Sequence, residues 1–202
     1  MNVICVFDSY KKLRLSDEFY SYVERITQDD IFLTEGQGYV VSAYVFGPFC
    51  PWVYIKDNSG LVYPTSYPIH LFEIQDATIS KYWKWGAFAN RLWDEYPLLA
   101  FPEWADDDCF HGKLFNGEKE ALSIYRKYAD WIERERPLPW IDKVAVSFAD
   151  DGWVYDEETD DTWEVTGEFA MLRSPSSGEL MHNPFYKPDE LAHYQKKYKE
   201  KK

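Results

Sequence analysis

The sequence lacks the features that mark secreted and membrane-spanning proteins. Among its 202 residues there are only three cysteines, Cys5, Cys50 and Cys109, and no Asn-x-Ser/Thr glycosylation sequence. Three widely spaced cysteines do not make the pattern of a disulfide framework. The uncharged apolar stretches are shorter than the roughly 18–20 residues that a membrane span needs. The N-terminal apolar run follows no basic residue and stops at Asp8, so we predict no secretory signal and expect a cytoplasmic protein.

Acidic residues outnumber basic residues, and this balance argues against two classes of partner. The chain has 22 Lys and Arg residues against 35 Asp and Glu residues, which gives a formal net charge of −13. Non-specific binding to nucleic acid needs a positive surface that neutralises phosphates. Attachment to an anionic membrane needs the same kind of surface. We therefore expect neither nucleic acid nor a membrane as the partner.

Motifs for catalysis and cofactor binding are missing as well. There is no G-x-S-x-G nucleophile elbow and no P-loop, and Gly36-Gln37-Gly38 lacks the third glycine of a dinucleotide fingerprint. The acidic residues near Gly152 lack the spacing of a calcium loop. The sequence thus predicts no cofactor and no metal site, and it favours a protein without catalytic activity.

One segment, residues 106–111, combines side chains that ligate metals or transfer protons. It contains three carboxylates, a thiol and an imidazole, but no second Cys or His pair has the spacing of a zinc site. We interpret the segment as a polar loop with Cys109 and Phe110 packed inward. If the protein is an enzyme, Asp108 and His111 are the candidate catalytic pair.

Residue patterns predict the α+β class, with antiparallel hairpins and meanders packed against a few amphipathic helices in a single compact domain spanning residues 1–202. Hydrophobic residues make up 46% of the chain, enough to form a core. Predicted helices and antiparallel hairpins are mixed along the chain, with no repeated βαβ units, which favours the α+β class over the α/β class. The predicted strands are residues 2–7, 39–46, 52–56, 61–63, 69–74, 144–149, 153–155 and 163–171. Four helices are predicted: one after a cap at Ser16, one over residues 78–95, one after a cap at Asn116 and one that begins at Pro188. The last helix belongs to a lysine-rich C-terminal helix or tail, residues 187–202.

The acidic residues cluster in one window, because no Lys or Arg occurs between Lys143 and Arg173. The window contains nine acidic residues: Asp150, Asp151, Asp156, Glu157, Glu158, Asp160, Asp161, Glu164 and Glu168. Strand alternation places Glu164 and Glu168 opposite Trp163, on the solvent face of a meander. Such a surface steers a cationic partner toward the protein. The alternative is an acidic face that serves only solubility.

Aromatic residues are abundant, at 19% of the chain, and they are dense in residues 82–104. The commoner role for such a run is packing in the core of a small domain. The alternative is a ligand pocket, because tryptophan is favoured where a protein binds ligands or partners. The tryptophans that would line this pocket are Trp83, Trp85, Trp93 and Trp104.

Two functional hypotheses follow from these patterns, and the first is favoured. The first is a non-catalytic acidic interaction protein of bacterial or phage type, which binds or neutralises a basic protein such as a toxin or a nucleic-acid-handling protein. The second is an enzyme or small-ligand-binding protein with the tryptophan-lined pocket. A structural or accessory role without a specific ligand of its own is the remaining alternative.

Overall fold

The structure is a computed structural model that describes residues 1–13, 16–26, 31–47, 49–86, 96–148 and 152–188. These residues contain four α-helices and twelve β-strands, and every ladder between named strands is antiparallel. The predicted α+β class is therefore confirmed. The chain divides into two compact units, Met1–Ile132 and Glu133–Lys202. The assignment of residues 1–202 to one domain stays a prediction.

The first unit contains a seven-stranded sheet and most of the helical residues. Its strands are β1 (Asn2–Cys5), β2 (Gly38–Phe46), β3 (Pro51–Ile55), β4 (Thr65–Pro68), β5 (Phe72–Asp76), β6 (Lys84–Gly86) and β7 (Leu98–Ala100). Its helices are α1 (Asp17–Ile26), α2 (Pro102–Ala105), α3 (Phe110–Phe115) and α4 (Lys119–Glu135), the last of which ends in the second unit. Short 3-10 helices occupy Tyr10–Lys12 and Ile69–Leu71. The strand order is β4-β3-β2-β1-β5, with β7 paired to β2 and β6 paired to β7.

Aromatic side chains fill much of the core of this unit. Trp52, Tyr54, Phe101 and Trp104 are buried there. The Phe101 ring stacks on the Tyr128 ring of α4 with centroids 4.4 Å apart. Core packing therefore accounts for many of the aromatic residues, as the sequence favoured.

The helix starts and ends follow local sequence signals, with one correction. The Ser16 hydroxyl accepts a hydrogen bond from the Phe19 backbone N–H at 3.3 Å, which confirms the predicted cap of α1. Asn116, predicted to cap α4, instead ends α3. Gly117 follows it at φ +72, and its N–H donates to the Leu114 carbonyl while the next N–H donates to the Lys113 carbonyl. This Schellman arrangement needs the left-handed conformation that glycine adopts readily.

The predicted helix over residues 78–95 is wrong for its described part, which contains strand β6 instead; residues 87–95 lie outside the described residues. Trp83 is buried whereas Trp85 is exposed, and Gly86 pairs with Leu98 of β7. A Cβ atom on Gly86 would lie 2.2 Å from the Ala105 carbonyl oxygen, so the strand approaches α2 closely. This tertiary contact overrides the helical spacing of the aromatic residues.

Two further strand predictions are shifted along the chain. The hairpin after β3 is confirmed, but its return strand is β4 (Thr65–Pro68) rather than residues 61–63. Residues 69–71 form a 3-10 helix, and β5 begins only at Phe72. Both shifts place apolar side chains of the returning chain, such as Tyr67 and Leu71, in the core.

The second unit contains two small sheets. A three-stranded sheet has the order β10-β9-β8, where β8 is Val146–Ser147, β9 is Trp153–Asp156 and β10 is Asp161–Glu164. A two-stranded sheet pairs β11 (Met171–Arg173) with β12 (Leu180–His182). The predicted meander is thus confirmed, whereas residues 163–171 do not form one strand, because β10 ends at Glu164 and β11 begins at Met171.

Small and aliphatic side chains form the core of the second unit. Ala145, Val154, Leu172 and Met181 are buried together, and Trp163 packs against them. Lys187 and Pro188 are exposed, and the remainder of the predicted lysine-rich helix or tail lies outside the described residues. No helix in the described ranges combines the length and the apolar composition required to cross a membrane.

Candidate interaction surface

The nine acidic residues of the base-free window do not share one environment. Glu157, Glu158, Asp160, Glu164 and Glu168 are exposed, Asp161 is half-buried, Asp156 is buried, and Asp150 and Asp151 lie outside the described residues. The strand pattern confirms that Glu164 is exposed while Trp163 packs inward. The candidate interaction surface therefore comprises the five exposed residues, which we call the acidic surface.

Asp156 is buried and paired within the second unit, so it is not available to a partner. Its residue is 1% exposed, and its carboxylate lies 3.0 Å from the Lys143 ammonium group. It also accepts hydrogen bonds from the Glu158 backbone N–H at 3.2 Å and from the Thr159 hydroxyl at 3.1 Å. Burial raises the pKa of Asp156, but these hydrogen bonds and Lys143 outweigh it and hold the pKa below its ordinary value.

Lys143 forms ion pairs with three carboxylates. Besides Asp156, its ammonium group contacts Glu158 at 2.7 Å and Glu179 at 3.1 Å. The hydrogen bonds that Lys143 donates to Glu158 and Asp156 raise the pKa of Lys143 above its ordinary value. Part of the Glu158 charge is thereby offset within the second unit, so Glu158 adds less to the outward field than an isolated carboxylate would.

Asp161 and Asp160 also have intramolecular roles. The Asp161 carboxylate accepts from the Ser176 hydroxyl at 2.7 Å and from the Ser176 backbone N–H at 3.1 Å, and the hydroxyl contact lowers the pKa of Asp161 most. Asp160 occupies the turn between β9 and β10 at φ +60 and accepts from the Tyr155 hydroxyl at 2.7 Å. Asp tolerates this conformation better than most residues, which explains an acidic residue at the turn.

The candidate catalytic residues are Asp108, which is exposed, and His111, which is half-buried. The His111 ring lies nearly parallel to the Trp104 ring, with centroids 5.8 Å apart, and its Nε2 lies 3.3 Å from the Pro64 carbonyl oxygen. Burial lowers the pKa of His111. Among the described residues no hydrogen bond or ion pair joins the two side chains, and catalysis by them stays a prediction.

Residues 106–111 offer one group of possible metal ligands. One ligand atom each from Asp107, Asp108 and Cys109 lies within 4.8 Å of the others. Asp107 already contacts the Lys113 ammonium group at 2.7 Å and the Cys109 backbone N–H at 3.0 Å. Phe110 is buried as predicted, but Cys109 is exposed, so the prediction that it packs inward is wrong. The reason is that Cys109 immediately precedes α3, whose buried face begins at Phe110.

The four candidate pocket tryptophans lie in different environments. Trp83 and Trp104 are buried in the core of the first unit, whereas Trp85 is 58% exposed. Trp93 lies outside the described residues. A ligand could therefore stack on Trp85 without opening the core, but not on Trp83 or Trp104.

A cleft in the second unit was not anticipated from the sequence. Its volume is about 310 Å³, and it is lined by Arg134, Trp163, Glu164, Val165, Thr166, Phe169, Leu172 and Arg173. The Arg134 guanidinium group lies over the Phe169 ring, 4.2 Å from its centroid, and its Nε donates to the Met171 carbonyl at 3.3 Å. No sequence signal marks this cleft, because its residues come from a helix end and from separate strands and loops.

The acidic surface is the feature of the described residues whose chemistry points to one class of ligand. Its carboxylates attract cations, whereas the cleft combines arginine and aromatic groups with no single preference. Comparison of the chain with known protein families, with curated proteins and with solved structures finds no match. A functional conclusion therefore rests on the chemistry of the side chains themselves.

Proposed function

We propose that this protein is a non-catalytic interaction protein that binds a basic protein through its acidic surface. The observation that supports the proposal is the base-free window between Lys143 and Arg173, in which five of the nine acidic residues are exposed. Binding to such a surface would neutralise part of the partner's positive charge. A toxin and a nucleic-acid-handling protein are the two classes of basic partner to which this applies.

Clustered surface carboxylates act mainly on the rate of encounter. A field of one sign raises the association rate of an oppositely charged partner, and it fixes orientation more than it adds affinity. This field weakens with salt, because the Debye length falls from about 10 Å at 0.1 M to about 3 Å at 1 M. A complex formed through the acidic surface should therefore dissociate at moderate salt.

Charge reversal at two positions tests the proposal without disturbing the fold. Glu157→Lys and Glu164→Lys change exposed residues, whereas Asp156→Lys would break the buried contact with Lys143. The matched control reverses Glu73 and Glu120, which are exposed in the first unit. Both double variants change the net charge by the same amount, so only the position of the charge differs.

The experiment is affinity capture followed by a binding titration. The immobilised protein is exposed to lysate of the source cell, and bound proteins are eluted with a salt gradient. We expect a basic protein to elute at moderate salt, and the Glu157/Glu164 variant to bind it at least about tenfold more weakly than wild type. The control variant should bind within about twofold of wild type, because like-charge contacts at the interface are absent there. Equal affinity of both double variants would contradict the proposal.

A small-ligand-binding protein or enzyme is the second candidate function. The observation that favours it is the cleft lined by Trp163 and Phe169, whose volume is near the lower end of the range for ligand sites, about 300–1,000 Å³. A screen of metabolites with tryptophan fluorescence as the readout tests this function. Quenching by one compound that is lost in a Trp163→Phe variant would support it, and an unresponsive screen would reject it.

A further inference from the structure

The three-stranded sheet of the second unit exposes an apolar face. Val146, Phe148 and Trp153 are 45%, 47% and 42% exposed, respectively, and Tyr155 is half-buried beside them. We call these four residues the open sheet face. A face that served only solubility would carry polar side chains at these positions, so their presence requires another explanation.

The strand register brings the four side chains together on one side of the sheet. Val146 of β8 is directly opposite Tyr155 of β9. Beyond β8, the Phe148 backbone N–H donates to the Trp153 carbonyl at 3.0 Å, so these two residues are neighbours across the hairpin. The Phe148 and Tyr155 rings meet with centroids 6.2 Å apart. The alternate residue Val154 points to the other side, where it is buried.

Carboxylates lie along one margin of this apolar face. Glu164 of β10 is directly opposite Trp153, and the Tyr155 hydroxyl donates to Asp160 at 2.7 Å. Glu157 is exposed in the turn that joins β9 to β10. The open sheet face is thus apolar on β8 and β9 and acidic along β10 and its preceding turn.

We propose that the open sheet face is the docking site for one amphipathic helix of the basic partner. The inference rests on the proposed function and names the part of the partner that makes contact. The complementary helix has an apolar stripe that covers Val146, Phe148 and Trp153, with Lys or Arg residues on the side facing Glu164 and Asp160. Charge complementarity selects a basic helix, and the apolar centre supplies the affinity that exposed ion pairs do not.

The dimensions of the sheet match a single helix. Adjacent strands lie about 4.8 Å apart, so the outer strands of a three-stranded sheet are separated by about 10 Å. That distance is close to the diameter of an α-helix with its side chains, about 10–12 Å. Helices packed on sheets are a common way in which proteins bury an apolar sheet face.

The test uses a synthetic peptide as the probe. A fluorescein-labelled peptide of about 18 leucine and lysine residues carries leucine at i, i+3, i+4 and i+7, and a second peptide has the same composition in scrambled order. Fluorescence anisotropy measures the affinity of each peptide for the full-length protein. We expect the patterned peptide to bind at least about tenfold more tightly than the scrambled one, because only it presents a continuous apolar stripe.

Substitutions locate the contact on the open sheet face. Trp153→Thr and Val146→Thr retain residues that suit a strand. Trp153→Thr should weaken binding of the patterned peptide by about tenfold or more, since burial of one large apolar side chain contributes that much, and Val146→Thr should weaken it by about threefold or more, because threonine keeps one of the two methyl groups. The matched control is Ile74→Thr, which removes an exposed apolar side chain from a strand of the first unit and should leave the affinity unchanged. Thermal unfolding of each variant verifies that it is folded.

Each outcome has a defined meaning. Loss of binding in the Glu157/Glu164 double variant but not in Trp153→Thr would overturn the docking inference and leave the proposed function intact. Retention of binding in all of these variants would overturn both. Equal binding of the two peptides, or a dimer of the protein alone that Trp153→Thr dissociates, would also overturn the inference, the dimer by showing that a second copy covers the face.

Discussion

A buried hydrogen bond between Tyr67 of β4 and Asp57, in the turn after β3, stabilises the hairpin that these two strands form. The Tyr67 hydroxyl donates to Asp57 Oδ2 at 2.6 Å, and both residues are buried. The same carboxylate accepts from the Ser59 backbone N–H at 3.0 Å and so organises the turn after β3. Burial, followed by the adjacent Asp57, raises the pKa of Tyr67 well above its ordinary value. The hydroxyl therefore remains a donor throughout the physiological range.

Replacing Tyr67 by phenylalanine keeps the ring in the core and removes the hydroxyl, which donates to Asp57 and also accepts a longer hydrogen bond, at 3.4 Å, from the Phe32 backbone N–H. A hydrogen bond to a charged group contributes about 1.5–3 kcal/mol, so we expect Tyr67→Phe to lower the free energy of unfolding by about 2 kcal/mol. Urea denaturation at neutral pH measures the change, with an unaltered m-value indicating that the denatured state is unaffected.

Tyr155→Phe is the matched control for this prediction. It removes the same kind of hydrogen bond, from a tyrosine hydroxyl to the Asp160 carboxylate at 2.7 Å, but at the surface. Water replaces the lost contact there, so we expect no measurable loss of stability. An equal loss in both variants, or no loss for Tyr67→Phe, would refute the argument that burial determines the strength of these bonds.

Three further predictions concern individual residues. Gly86→Ala should lower stability by about 1–3 kcal/mol, because its Cβ would meet the Ala105 carbonyl oxygen, whereas Gly112→Ala, with open space around it, should not; thermal unfolding compares them. Because burial lowers the pKa of His111, its contribution is complete above the unfolded pKa of about 6.5 and is lost as the pH falls through the folded pKa. Urea titrations at pH 8 and 5.5 should show this loss, and a His111→Phe variant should lack it. Burial raises the pKa of Cys50 to about 12, so at pH 8 its thiol should react with a disulfide reagent only upon unfolding, as followed by absorbance.

Local signals in the sequence predict the elements whose stability is mainly local. The Ser16 cap with Asp17 and Glu18 in the first turn predicts α1, and the helical spacing through Tyr125 and Ile132 predicts α4, which ends before Pro137 as expected. Caps, charge placement and a one-sided apolar stripe act within a few residues of each other. Such elements can therefore be predicted from the sequence without knowledge of the fold.

Elements that depend on distant contacts are not predictable in this way. The aromatic spacing near Trp83 fits a helix as well as a strand, and the contact of Gly86 with Ala105 decides in favour of the strand. In the predicted strand that contains β8, the small residue Ala145 is buried, whereas Val146, Ser147 and Phe148 are all exposed. The packing partner of each face determines this choice, and the sequence does not specify it.

The acidic surface can be predicted only in part from the sequence, because the exposure of each acid also depends on distant contacts. The base-free window identifies the part of the chain that contains the five exposed acids, but the sequence does not distinguish exposed acids from buried ones. Asp156 is buried and contacts Lys143, which lies outside the window, and Asp161 accepts a hydrogen bond from Ser176. Both contacts form only when separate parts of the second unit meet.

Capture of a basic protein on two parallel columns tests the central claim most directly. One column carries the wild-type protein and the other carries the Glu157→Lys/Glu164→Lys variant, and the same lysate and salt gradient are applied to both. The account predicts that a basic protein binds to the wild-type column, elutes at moderate salt and passes through the variant column. Retention of the same protein on both columns, or of no basic protein on the wild-type column, would contradict it.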